Sequence, residues 1–323
     1  MKTTLPLIVL ACVSLAGCRS YQGRNDIVKE TYLHKYGVPV TKSDWEAQGQ
    51  DGQTVALRKD GVTVTTTYSK GEVHGPTTYT YPNSSTVRIC EMYAHGQLVS
   101  KKENYPSGVP MKEESFEENA LVNLTRWYED GTPQAHELYQ NTFLFSGEFR
   151  TPLNIVESRI LDGHGTRICR SNEGDLVSKD TVQNGQMTER VTFFPNGDPS
   201  TITPYVNGAI HGTRLTFMKG GLPNTVEQWM HGVQEGTTLV YQNGEKIADV
   251  TYLRGKKNGT ELRYRDGTLL MEEVTWKDDV QHGPRKLYVD GEAKTEWYHE
   301  GELVSRPTYE RMNLPVLLPR KAA

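Results

Sequence analysis

Residues 229–267 read WMHGVQEGTTLVYQNGEKIADVTYLRGKKNGTELRYRDG, and two passes of one pattern lie inside them. Trp229, Gly232, Gly236, Tyr241 and Gly244 are followed by Tyr252, Gly255, Gly259, Tyr264 and Gly267. The pattern continues through Trp276, Gly283, Tyr288 and Gly291 to Tyr298 and Gly301. Asn243-Gly244, Asp266-Gly267 and Asp290-Gly291 accept positive φ at both centres of a type I′ turn, whose twist matches that of antiparallel strands. Asp130-Gly131, Asn184-Gly185, Asn196-Gly197 and Asn207-Gly208 are pairs of the same kind. Between the turns lie Leu-x-aromatic and Val-x-aromatic segments, such as Leu262 with Tyr264 and Val274 with Trp276. Period-two spacing puts each pair on one face of its strand and residues such as Arg263, Thr251 and Glu273 on the other.

Outward from this stretch, the same slot holds Trp45, Tyr68, Tyr93, Phe116, Tyr139, Ile160, Val182 and Tyr205, at intervals of 21–25 residues. Gly71, Gly75, Gly96, Gly208 and Gly212 fill the matching glycine slots. A fixed period in this range means stacked units, each burying its apolar face against its neighbours. The expectation is an all-β chain: an elongated, repetitive antiparallel β-hairpin array with two strands per repeat, advancing roughly 10 Å each time. With 36% hydrophobic residues, one sheet with one apolar face fits better than a thick two-layer core. No stretch carries a helical period.

The pattern weakens between residues 140 and 190. Ile160 and Val182 replace the aromatic, Thr142 and Glu189 replace glycines, and Pro152 falls where strand is expected. Two readings stand: decay of the repeat, or a kink or interaction site marked by Phe143, Leu144 and Phe145.

The aromatic-x-x-Gly-x-x-x-Gly pattern over residues 45–304 resembles the MORN repeats, specifically a bacterial variant type with an antitoxin label in some relatives. The resemblance implies a hairpin array serving as a scaffold, binding proteins or, in some members, lipid.

The N-terminus carries a second signal. Lys2 precedes an apolar run, Leu5 to Val13, that is too short to cross a bilayer. Leu15, Ala16, Gly17 and Cys18 then resemble a bacterial lipobox, in which the cysteine is acylated and becomes the first mature residue. Three acyl chains would exceed what stable anchoring needs. The expected organisation is a signal peptide at 1–17, a lipidated tether or N-terminal cap at 18–44, the array at 45–304, and a tail or cap at 305–323. Arg19, where an aspartate retains some lipoproteins in the inner membrane, favours the outer membrane of the envelope. Cys90 and Cys169 remain, more than three repeats apart, and are expected as free thiols.

The mature chain would carry 35 basic against 40 acidic residues, interleaved, with no basic stripe of the kind nucleic acid needs. The formal net charge of the whole chain is −4. His74, His211 and His282 share one repeat slot, too far apart to ligate one ion, and His95 and His231 share another. No nucleophile elbow and no phosphate-cradling loop occurs. No metal, cofactor or catalytic residue is therefore assigned. The row Tyr205, Trp229, Tyr252, Trp276 and Tyr298 reads as core packed over glycines, or else as a groove for an extended peptide or glycan. The expected function is a non-catalytic, membrane-anchored lipoprotein whose repeats bind an envelope protein. The alternatives are a lipid or glycan binder at the membrane surface and an antitoxin-like neutraliser.

Overall fold

The computed structural model describes residues 26–313, so the signal peptide, the lipobox with Cys18, and the apolar tail after Asn313 lie outside the described residues. The chain is all-β, with strand in 67% of it and helix in 5%, which leaves no helical layer. It is a repetitive antiparallel hairpin array. Two compact units divide it, Met1–Met187 and Thr188–Ala323.

Every repeat obeys one local rule. The slot residue, from Tyr68 to Tyr298, is the next-to-last residue of its strand in all eleven copies. A two-residue turn with both φ near +50° and +80° follows each: His95-Gly96, Asn207-Gly208, His231-Gly232 and Arg254-Gly255 are examples. This is type I′ geometry, which non-glycine residues rarely adopt. Gly75, Gly212, Gly236, Gly259 and Gly283, four residues further on, take φ between +94° and +113°. The ladder slips beside them: pairing jumps between Thr66 and Tyr68, Val250 and Tyr252, and Val274 and Trp276. The spacing therefore encodes a tight turn and then a bulge. The bulge is closed by the residue before the aromatic. Thr67, Thr251 and Thr275 donate their hydroxyls to the carbonyls of Pro76, Thr260 and Pro284.

Among the Asn-Gly and Asp-Gly pairs the expectation is corrected in part. Asn184-Gly185, Asn207-Gly208, Asn243-Gly244, Asp266-Gly267 and Asp290-Gly291 take positive φ at both residues. At Asp130-Gly131 and Asn196-Gly197 only the glycine does. Those glycines close four-residue loops, where Gly131 N–H donates to Tyr128 O and Gly197 N–H to Phe194 O. A loop of this length needs left-handed backbone at one position only.

In the first unit, strand Ile27–His34 pairs with Gly52–Arg58, and successive neighbours follow in chain order to Leu176–Gln183. Trp45, expected on the first strand of the array, lies instead in a helix, Lys42–Ala47. It is nonetheless buried, between the rings of Tyr32 and Tyr68 at 6.0 Å from each. A second helix, Arg306–Met312, ends the described part of the other unit. Each is under two turns, too short to show a period. Each is announced only by its N-cap, Thr41 or Ser305, accepting from a backbone N–H three residues on.

The region of weak repeats is where the first unit has its densest core. Ile160 and Val182 are 0% and 3% exposed, and they pack with Ala135, Leu144, Phe149 and Ile168. The sheet coils here. Leu144 N–H donates to Gly185 O and Gly163 N–H to Phe145 O. Gln134 Nε2 reaches the carbonyl of Ser171 at 3.1 Å, although its strand is three removed. Pro152 sits in the loop Thr151–Ile155 and packs beside Gly174 of a neighbouring loop. The small slot residues are fitted to this closed interior. Restoring the consensus by Ile160→Tyr should therefore lower stability by about 2 kcal/mol, read from the urea midpoint, where simple decay would predict a gain. Thr142, a β-branched residue at φ +72°, keeps the turn without the glycine. Thr142→Gly should raise stability by about 1 kcal/mol in the same assay.

The second unit opens within strand Gln186–Phe193, which pairs with Pro199–Val206, and its last strand is Glu302–Val304 beside Glu292–His299. Pairing settles which side chains share a face. Val250, Glu261 and Val274 lie opposite one another in turn, with Tyr252, Gly259 and Trp276 beside them. Leu262 faces Asp249 and Glu273 on the other side, with Tyr264. The two kinds of apolar pair thus occupy opposite faces, and the expectation of a single apolar face does not hold. Both faces mix aromatic and charged residues because each repeat must bury something on each side.

Candidate functional site

The candidate is a surface, built repeat by repeat. Its first component is the aromatic row. Tyr205, Trp229, Tyr252, Trp276 and Tyr298 are each half-buried, neither sealed in a core nor standing in an open groove. At Trp229 and Tyr298, and at Tyr93 in the first unit, the polar atom is secured by a carboxylate two residues earlier. Tyr93 donates to Glu91 Oε2 at 3.1 Å, Trp229 Nε1 to Glu227 Oε2 at 2.8 Å, and Tyr298 to Glu296 Oε2 at 3.4 Å. Glu-x-aromatic was legible as a repeated triplet and escaped the sequence reading. Where Val274 replaces the glutamate, Trp276 Nε1 is buried without a partner, and Lys257 Nζ stands over the ring at 4.8 Å.

A second periodic row also went unread: Tyr81, Tyr105 and Tyr128, on the opposite edge of the first unit. Each donates its hydroxyl across a neighbouring hairpin, to the carbonyls of Asn104, Trp127 and Arg150 at 2.7–2.9 Å. Burial raises all three hydroxyls above the ordinary tyrosine range. Their spacing of 24 and 23 residues, each ahead of a loop, was the available signal.

In the coiled region the Glu-x-aromatic triplet becomes a buried ion network. Glu137, with a side chain 2% exposed, accepts from Tyr139 and from Arg167, whose Nε and Nη2 lie 2.8 and 3.1 Å from its two oxygens. Arg167 also approaches Asp180, with a side chain 1% exposed, at 3.6 Å. Burial works against the Arg167 cation, but the Glu137 charge and hydrogen bonds prevail and hold its pKa above the usual value. Tyr139 is pushed well above the tyrosine range, by burial first and then by the Glu137 charge. Buried carboxylates of this kind invite a catalytic reading, but this pair is spanned by an arginine fork and closed to solvent, which makes it a clamp across the coil.

The second unit carries a ladder of charges across successive strands. Lys257 and Arg263 bind Glu261, Arg263 and Arg285 bind Glu272, and Arg285 and Lys294 bind Glu296, at 2.5–3.2 Å. At Glu261 burial raises the pKa, but hydrogen bonds from Arg263 and Lys257 outweigh it and the net direction is down. Glu273 is lowered by Lys286 and Tyr288, and Glu296 by Lys294. A carboxyl held below its unfolded pKa contributes stability that is complete above that value and lost as pH falls through the folded one. The urea midpoint should accordingly decline below about pH 4.3, the ordinary glutamate value. Glu261→Gln should flatten that decline without altering its direction.

Six of the nine histidines lie in pairs. His74 and His95 have ring centroids 4.9 Å apart, His211 and His231 4.8 Å, and His282 and His299 5.0 Å. The slots that are far apart along the chain meet across adjacent repeats. Among the described residues no group of three or more metal-ligating side chains forms. Cys90 and Cys169 are free and half-buried, and burial raises the Cys90 thiol. No helix among the described residues is long and apolar enough to cross a membrane.

No protein-family model matches this sequence, and no curated protein matches it. Among solved structures, a chain of the Photorhabdus luminescens Tc holotoxin pore aligns at 10% identity with a TM-score of 0.17, over 76% of this chain and 16% of its own. A chain of the TcdB2-TccC3-Cdc42 crystal structure aligns at 10% identity with a TM-score of 0.15, over 84% and 21%. This chain spans about a sixth to a fifth of the length of those proteins, and likenesses this low bear on neither fold nor function.

Proposed function

We propose that this protein is a non-catalytic lipoprotein of the bacterial envelope, anchored through acyl chains on Cys18, whose hairpin repeats form a binding scaffold for an envelope protein. The observation that supports this most is the pairing of buried carboxylates in both units. Those of Glu137, Glu261 and Glu272 are each taken up by arginine or lysine, which favours a pre-organised surface over a site of perturbed, unengaged carboxylates. The Leu15-Ala16-Gly17-Cys18 sequence supports the anchor.

Two experiments test the two halves. Metabolic labelling with palmitate should mark the wild-type protein and not Cys18→Ser; label in both would end the anchor. Affinity purification of the wild-type protein from detergent-solubilised envelopes should return one or a few envelope proteins in near-stoichiometric amount. Their absence would turn the reading to a glycan or lipid ligand, which flotation of Cys18→Ser on anionic liposomes would expose. The antitoxin alternative has no structural observation in its favour.

A further inference from the structure

One histidine pair is covered by the chain itself. The helix Arg306–Met312 lays the Tyr309 ring against His282 at 5.6 Å, His299 at 6.4 Å and Trp297 at 5.0 Å. Asn313 Oδ1 meets His282 Nε2 at 3.2 Å. His282 itself is fixed from behind, its Nδ1 accepting from Glu300 N–H at 3.3 Å.

The hydrogen bond behind His282 occurs twice more, with a histidine in the place of Glu300. His74 Nδ1 accepts from His95 N–H at 3.3 Å, and His211 Nδ1 from His231 N–H at 3.4 Å. These donors occupy the repeat position of Glu300, two residues past the slot aromatic. Pairing fixes the rest. Gly283 faces Tyr298, so His282 shares a side with Trp297 and His299. Gly75 faces Tyr93 and Gly212 faces Trp229, so His74 shares a side with Met92 and Ala94, and His211 with Gln228 and Met230. At the position of Trp297 the first copy has Met92, 38% exposed, and the second has Gln228; at the position of His299 the first has Ala94 and the second has Met230, 53% exposed. Each platform thus sets an oriented imidazole on the same side of the sheet as an exposed methionine. Thioethers favour the edges and faces of aromatic rings and adapt to varied partners.

We infer that the His74–Met92–His95 and His211–Met230–His231 platforms each dock a tyrosine side chain carried on a short helix of a partner protein, as Tyr309 is docked on His282. This rests on the scaffold reading and names the chemistry that its surface recognises.

The test uses the full mature protein and a helix-stabilised peptide with the sequence of residues 305–313. Methionine methyl and histidine ring resonances are followed by NMR. The Met92 and Met230 methyls and the His74 and His211 rings should shift saturably, since an aromatic ring laid over them changes their local field. A peptide carrying Tyr309→Ala should bind at least about fivefold more weakly. Met92→Ala and Met230→Ala, both at exposed positions, should each remove the shifts at one platform alone. No saturable shift at either platform, or equal binding by the two peptides, would overturn the inference. The scaffold reading fails separately, if the wild-type protein co-purifies with no envelope protein.

Discussion

Arg167→Met should be among the most damaging single changes in the chain, costing about 3–5 kcal/mol in a urea unfolding experiment. The methionine fills a similar volume, so the loss reports charge rather than packing. Glu137 has a side chain 2% exposed and accepts at both oxygens from the Arg167 fork; without the cation a carboxylate is left in the coil with only the Tyr139 hydroxyl. Restoring a charge with Arg167→Lys should recover only part of the loss, because an ammonium cannot reproduce the fork. The double variant Arg167→Met with Glu137→Gln should be more stable than Arg167→Met alone. An Arg167→Met midpoint within experimental error of wild type would mean the network is not buried as described.

Gly165→Ala should cost at least about 3 kcal/mol, in contrast to about 1 kcal/mol for Gly208→Ala. Both glycines have positive φ, +144° and +77°, so both substitutions strain the backbone. Only one of them also meets an obstacle. A Cβ on Gly165 would lie 2.2 Å from the carbonyl oxygen of Arg159, which belongs to the adjacent strand and cannot swing aside. A Cβ on Gly208 would meet nothing within 4 Å. The difference between the two variants isolates close backbone approach from conformational strain, and equal costs would show that the coil at residues 159–165 is looser than described.

The fold was legible because a turn and a bulge each demand a particular backbone, and glycine marks both. His231-Gly232 and Gly236 announce the geometry of their repeat without any knowledge of packing. The coil was not legible for the converse reason. Ile160 and Val182 look like failed aromatics when only their period is read; their fitness depends on Phe149 and Leu144 arriving from other strands, and nothing local records that. The helices at Trp45 and Tyr309 were hidden by length, since six or seven residues cannot display a period. The histidine pairs were hidden because His74 and His95, 21 residues apart, meet only through the pairing of their strands. Glu91, Glu227 and Glu296 were readable as Glu-x-aromatic triplets.

The central claim is that the repeats form a protein-binding scaffold at the envelope. In-cell crosslinking of the lipidated wild-type protein, with peptide-level mass spectrometry and Cys18→Ser as control, tests it most directly. The account predicts crosslinks to one or a few envelope proteins, confined to a contiguous set of repeats and lost or redistributed in the control. Crosslinks scattered evenly over both faces, or none above the Cys18→Ser background, would contradict it.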